Sequence, residues 1–321
     1  MTTNLNNFYA YIRLAKTYWF LTAFIFPISI SLILIKYFNN LKYKILLKQF
    51  EGKVVLITGA SSGLGEALAH CFYNAGCKVI LSARRENELI RVRDILVNTY
   101  KTQKNHPVIL PLDLSDIESV SKQAQVALSI FGHIDVLINN AGISFRGRIS
   151  KTDISVDKFI MDVNYFGPVA LIKAILPQMI DRKKGHIVAV SSVQGLIGIP
   201  YRSAYAASKH ALQAFHDVLR AEVASNNVKV SVISPGYIKT NLSVNALTEN
   251  GNQYKIMDDT TAKGIEPTRL SKILFKNIVL EKKDLVVASL TSKLAIFIRN
   301  ISPSIFHWIM MERAKNLPLI K

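Results

Sequence analysis

The chain has 321 residues, 50% hydrophobic and 19% charged, which excludes a peptide hormone and a disordered polymer and leaves room for one large α/β domain with an appendage. Forty Lys and Arg against 22 Asp and Glu give a formal net charge of +18, so the surface favours anionic partners: acidic lipid, nucleic acid or a phosphorylated substrate. Two cysteines, Cys71 and Cys77, cannot build a disulfide framework, and the histidines lack the spacing of a metal site, so reduced thiols and no metal are expected.

In chain order, a short tail (1–16) leads into a stretch over 17–38 that reads as a membrane anchor. Thr17 to Ile35 carries no charge and is framed by Tyr18, Trp19 and Phe20 on one side and Tyr37 and Phe38 on the other. About 20 apolar residues cross a hydrocarbon core of about 30 Å, and aromatic rings prefer its interfaces. The rival readings are a cleaved signal peptide, which the exit Ile35-Lys36-Tyr37-Phe38 disfavours, and a hairpin or surface-lying helix. Lys36, Lys42, Lys44 and Lys48 follow the span against Arg13 and Lys16 before it, which points to a cytosolic domain; the sequon Asn241-Leu-Ser243 would suit a lumenal one. Residues 39–51 form a basic juxtamembrane linker.

From Lys53 onward, short β-branched runs alternate with helical stretches. Strands are expected at Val54 to Thr58, Lys78 to Ser82, Val108 to Leu112, Val136 to Asn139, His186 to Ser191, Lys229 to Ser234 and Leu285 to Val287. They predict one domain over 52–290, a Rossmann-type doubly wound parallel sheet of about seven strands. Tyr237 to Thr261 is polar and turn-rich and reads as a lid. The final stretch, 291–321, is apolar again and either packs on the domain or lies on the bilayer; Asn300 and Pro303 interrupt any spanning helix.

The first strand runs into Gly59-Ala-Ser-Ser-Gly63-Leu64-Gly65 and then a helix, the arrangement of a phosphate cradle in which backbone approaches a pyrophosphate and helix N–H groups face the anion. Thr58, Ser61 and Ser62 can donate hydrogen bonds there. Where an acidic residue would hold a ribose 2′-hydroxyl, the chain has Arg84-Arg85, which suits a 2′-phosphate and predicts NADP(H) over NAD(H). Asp113, followed by Leu114, is placed near the adenine. Tyr205 and Lys209, at i and i+4, share a helix face, where an ammonium beside the phenol is expected to bring proton exchange closer to neutral pH.

The ordered set Thr58-Gly59-x3-Gly63-x-Gly65, Asn139-Asn140-Ala141-Gly142, Asn164, Ser192, Tyr205-x3-Lys209 and Pro235-Gly236 resembles the short-chain dehydrogenase/reductase family over residues 52 to about 290. Several stretches, among them Asn164-Tyr-Phe-Gly-Pro-Val-Ala, are similar to a membrane-anchored group within it. The resemblance implies Tyr205 as general acid/base, Ser192 holding the substrate oxygen, Lys209 on the nicotinamide ribose and Asn164 supporting a water relay. It further implies Asn140, Ala141 and Gly142 on the adenosine side, and Pro235, Gly236, Ile238 and Thr240 beside the nicotinamide and phosphates. Homo-oligomers, through helices flanking the Tyr205 segment, are common in the family.

Val193 to Tyr201 and Ile143 are apolar and favour a hydrophobic small-molecule carbonyl or alcohol: a steroid, retinoid or acyl lipid. Arg146, Arg148 and Arg202 read either as solvated surface charge or as a phosphate site, the latter suiting an acyl- or alkyl-dihydroxyacetone-phosphate reductase. A membrane-tethered NADPH-binding scaffold is the competing class, against which the intact Ser192, Tyr205 and Lys209 argue. Dispersed basic residues give no support for nucleic-acid binding. An anchored reductase suits the endoplasmic reticulum membrane first and the peroxisomal membrane second; the terminus Leu319-Ile320-Lys321 matches no retrieval or peroxisomal signal.

Overall fold

The computed structural model describes residues 2–101, 103 and 105–316, and the chain divides after Lys48 into two units. The terminal tripeptide lies outside the described residues. The first unit is a helical run, Thr2–Phe20, a π-turn at Leu21–Ile25, and Phe26–Lys48. Pro27 has no N–H to offer the carbonyl four residues back, and the widened turn falls there. Thr17 and Thr22 turn their hydroxyls inward, onto the carbonyls of Arg13 and Tyr18, both at 2.8 Å.

In the second unit all seven predicted strands form, within two residues of their expected ends: β1 (Val54–Thr58), β2 (Lys78–Ala83), β3 (Val108–Pro111), β4 (Val136–Asn139), β5 (Gly185–Val190), β6 (Val228–Pro235) and β7 (Asp284–Val287). They pair parallel in the order β3-β2-β1-β4-β5-β6-β7. β1, β4 and β5 are buried along their whole length, which is why they read as unbroken apolar runs. One face is covered by Ile117–Phe131 and Gly167–Asp181, whose Val120, Ala124, Leu171, Ile175 and Met179 join a core with Leu56, Leu137 and Ile187. On the other face Gly63–Asn74 packs against Pro267–Val279, with Phe72 and Phe275 edge to face at 4.9 Å between ring centroids. The strand order reverses between β1 and β4, so a crevice opens at their carboxyl ends.

Among the described residues, the helical run long and apolar enough to cross a membrane by length and composition alone is Ile154–Asp181, half buried in this domain. It is a core helix, interrupted by a π-segment at Asp162–Phe166. The expected anchor over 17–38 is a different segment, in the first unit.

Candidate active site

A cleft of about 730 Å³ occupies the switch point. Of the expected catalytic and cofactor-binding residues, all line it except Gly65 and Asn164, both buried; of Arg146, Arg148 and Arg202 only Arg146 lines it. At the end of β1 the chain turns through Gly59 (φ 67°) and Gly63 (φ 59°), left-handed conformations that glycine adopts without cost. A Cβ at Gly65 would stand 2.1 Å from the Gly59 carbonyl oxygen, so the helix Gly63–Asn74 can begin tight against the turn only with glycine there. Its N-terminus faces the cleft. Ser61 and Ser62 flank it, but Thr58 does not serve as expected: its buried hydroxyl accepts from Asn140 N (3.1 Å) and Ala141 N (3.2 Å) and donates to Ile138 O. The same residue that looked like a phosphate donor instead ties β1 to the end of β4. Asn140 reinforces the tie through Nδ2 to the Thr58 carbonyl at 3.0 Å.

At the end of β2, Arg84 and Arg85 are exposed over the cleft and no acidic residue takes their place. Arg85 Nη2 donates to Ser61 Oγ at 3.4 Å, and Arg84 stands 4.0 Å from Asp113. Asp113 spends its other oxygen on Ser115 N and Oγ. The Leu114 carbonyl lies where a Cβ on Gly167 would fall, so the helix after the π-segment packs hard against this loop.

Ser192, just past β5, caps a 3-10 turn and accepts from Gln194 N at 3.1 Å. Its hydroxyl lies in the same cleft as the Tyr205 phenol, which the helix Ser203–Glu222 presents, and acts on that phenol's ionisation. Burial pushes the phenol's pKa up; the Ser192 hydroxyl and the charge of Arg146 oppose this only in part. Lys209 lies one turn along the same helix. Its Nζ donates to the Val190 carbonyl at 3.0 Å and lies 5.8 Å from the centroid of the Tyr205 ring. The expected easing of phenol ionisation by Lys209 is therefore not what this arrangement provides. Burial instead brings the Lys209 amine itself down to about 8.

Asn164 is fully buried in the π-segment. Its Oδ1 accepts from Ile143 N (2.9 Å), and its Nδ2 donates to Ile143 O (2.9 Å) and Ser208 Oγ (3.0 Å). The side chain thus clamps the loop after β4 to the Tyr205 helix. A Cβ at Gly142 would approach both Asn164 Oδ1 (3.1 Å) and Lys209 Nζ (3.4 Å), which keeps that position open beside the amine.

The lid is ordered by pairings rather than by helix. Arg146 N donates to Leu247 O at 2.8 Å, Leu247 N to Ser144 O at 2.9 Å, and Thr240 packs its methyl over Gly63. Arg146 is almost wholly buried and donates Nε to Asp258 at 2.9 Å; Arg202 reaches the same carboxylate at 3.4 Å, and Arg148 N binds Glu249 at 2.7 Å. These arginines are neither solvated surface charge nor free phosphate ligands, because the lid supplies their counter-charges. One carboxylate serves two guanidiniums, and burial with Arg146 nearby pushes Arg202 down to about 10. Asp258→Asn is expected to lower stability by about 2–3 kcal/mol, since it strands two poorly hydrated cations. Thermal denaturation, together with faster proteolysis confined to 237–261, checks this. Asn241 is exposed at the cleft and Ser243 is buried.

Of the apolar stretch Val193 to Tyr201, only Val193 and Gln194 line the cleft; Ile197 enters the core. Ile143 lines the cleft as expected, and the rest of the greasy wall comes from Phe159, Val163, Leu242 and Leu247. Gln194 escaped the sequence reading: it is buried, and its Oε1 has no hydrogen-bond partner among the described residues. Its one signal was a polar residue inside an apolar run two positions after Ser192.

A doubly wound sheet with a Gly-rich turn at its switch point and a Tyr-x3-Lys pair facing it defines a nicotinamide-dependent oxidoreductase fold. A family model described as short chain dehydrogenase matches residues 53–251, and the chain belongs to that family. It is 53% identical over 302 residues to the Anopheles gambiae protein named dehydrogenase/reductase SDR family protein 7-like, covering 94% of this chain and 95% of that one. It is 49% identical over 286 residues to Danio rerio dehydrogenase/reductase SDR family member 7B, covering 88% and 92%. Among solved structures, a metagenomic short-chain oxidoreductase in complex with NADP superposes with a TM-score of 0.61 at 27% identity, over 74% of this chain and 97% of that one. A Burkholderia phymatum family member in complex with NAD reaches 0.68 at 25%, over 84% and 98%.

Proposed function

We propose that the protein is a membrane-anchored, NADPH-dependent reductase of an apolar, lipid-like carbonyl compound, with Tyr205 delivering the proton that completes the alcohol. The observation that carries this reading is the convergence of buried Ser192, Tyr205 and Lys209 on the same cleft as the Gly-rich turn. The residues fit a dinucleotide: Gly59, Gly63 and Gly65 leave backbone free to approach a pyrophosphate, Gly142 leaves room beside Lys209, and Arg84 and Arg85 await a negative group. When bound, the nicotinamide supplies hydride to the carbonyl carbon. Ser192 holds the carbonyl oxygen, and Tyr205, whose pKa is raised, keeps its proton at neutral pH and can give it to that oxygen. Lys209 binds the ribose and, with Asn164 holding the neighbouring loop, resupplies the proton.

The apolar wall of Phe159, Val163, Leu242 and Leu247 favours an apolar substrate. A phosphorylated keto-lipid would require Arg146, Arg148 or Arg202 to leave Asp258 or Glu249, so that narrower reading has no support in the cleft. Anchorage rests on the uncharged run Thr17 to Ile35, whose aliphatic Ile28, Leu32, Ile33 and Ile35 are all exposed and whose Thr17 and Thr22 hydroxyls are satisfied within the helix.

The preference for NADPH is tested by replacing Arg84 and Arg85 together with Ala. NADPH affinity is expected to fall about 10–100-fold, as loss of charge-assisted bonds worth about 1.5–3 kcal/mol requires, with NADH affinity nearly unchanged. Titration calorimetry with both cofactors decides it; equal losses for the two would remove the arginines as 2′-phosphate ligands.

A further inference from the structure

The two C-terminal helices, Leu290–Ile301 and Pro303–Asn316, belong to the second unit and abut the rim of the cleft. Tyr201 Oη donates to the Ala314 carbonyl at 3.3 Å, and Arg313 Nη2 to the hydroxyl of Tyr237, a cleft residue, at 3.4 Å. Phe306 is buried and pins the pair to the domain. The outer side is different. Leu290, Leu294, Phe297 and Ile301 fall at i, i+4, i+7 and i+11, one stripe of a helix, and Ile305, Trp308 and Met311 continue it past the bend at Ser302-Pro303; every one is half or more exposed.

We propose that this helix pair is a second membrane contact, lying in the interface of an anionic bilayer and seating the cleft mouth where an apolar substrate partitions. It deepens the reading of the protein as a membrane enzyme and rests on it. Neither helix spans: they have 12 and 14 residues against the roughly 20 a crossing needs, with Pro303 between them. Charge selects the occupant. Lys293 and Lys315 accompany the apolar stripe against a single acidic residue, Glu312, which pairs with Lys315, while Arg299 and Arg313 turn inward onto Phe306 and Tyr237. A second copy of the same face would set like charges against each other, whereas acidic headgroups complement them while the long side chains snorkel. Trp308 suits the headgroup boundary, where one ring edge stays wet.

The chain holds two tryptophans, Trp19 in the proposed anchor and Trp308 on this face, so single substitutions isolate each reporter. Full-length Trp19→Phe protein is reconstituted in phosphatidylcholine/phosphatidylserine vesicles with or without bromines high in the acyl chains. Trp308 emission is expected to fall at least about twofold with brominated lipid, since an interfacial helix buries its apolar face about 5–10 Å into the boundary. Leu294→Glu with Phe297→Glu in that background should abolish the effect, both side chains being exposed and outside the core. If Trp308 responds to aqueous iodide and not to bromine, the face is wet and the proposal fails; if it is shielded from both, a second copy covers it and the proposal equally fails. Trp308→Phe protein reports the anchor separately. Quenching of Trp19 without quenching of Trp308 overturns the C-terminal contact alone; quenching of neither overturns anchorage as well.

Discussion

Tyr205→Phe is expected to lower the turnover of carbonyl reduction by about 10²–10⁴-fold, the usual contribution of a positioned general acid. The phenol is buried, and the substitution removes one oxygen from a site where the ring remains packed against Phe145, Val156 and Ile160. The fold and cofactor affinity should therefore be little changed, since Ser192 keeps its bond from Gln194 N. Because the proton moves only in the transition state, kcat and kcat/KM should fall together while KM holds. Stopped-flow and steady-state NADPH oxidation, with cofactor binding measured beside them, check this. A residual rate within a few-fold of the parent would take the proton donor's role from Tyr205.

Lys209→Met is expected to make the protein inactive and more stable at once. The amine is buried with one hydrogen bond, to the Val190 carbonyl, and its pKa stands at about 8 against an ordinary 10.5. The sign follows from proton counting: between those values the unfolded chain holds the proton and the folded one does not, so stability rises with pH across that window. Below about 8 the fold carries a buried ammonium at a cost of about 3 kcal/mol. Met removes that cost and forfeits a hydrogen bond of about 1 kcal/mol, a net gain of about 2 kcal/mol at neutral pH. Chemical denaturation at several pH values should show the gain shrinking as pH rises from about 8 to 10.5. The parent's reductive rate should also decline as pH rises through about 8, when Lys209 loses the charge proposed to resupply the proton. A destabilised Lys209→Met protein would mean that the amine is better solvated than its surroundings indicate.

The seven strands were legible because parallel strands buried on both faces are written as continuous β-branched runs, and the turns between them carry glycine where the backbone is left-handed. The Gly-rich turn and Arg84-Arg85 were legible for a related reason, since they follow the carboxyl ends of β1 and β2, and Tyr205 and Lys209 by their i, i+4 spacing, whereas Asn164 and the residues after β4 and β6 were reached only through the family resemblance. What the sequence could not show is who pairs with whom across long separations. Asp258 meets Arg146 from 112 positions away and reaches Arg202 as well, and that one carboxylate changes the meaning of both arginines. Lys209 reached a backbone carbonyl rather than the phenol because the amine, buried at the foot of β5, had to satisfy a donor locally. Thr58 turned inward because the ends of β1 and β4 needed a bridge. The apolar terminal stretch was visible in composition, but which of its side chains face outward depended on where Phe306 anchors it.

The most direct test of the central claim uses the full-length protein in lipid vesicles with NADPH deuterated at the transferable position of its nicotinamide ring, followed by mass spectrometry of extracted lipids and of the aqueous phase. Deuterium should appear on a hydroxyl-bearing carbon of an apolar product, with NADPH far more than with NADH, and vanish in the Tyr205→Phe protein. Label found only in water-soluble products, or in lipid at an undiminished rate without the Tyr205 hydroxyl, would contradict the proposed reaction.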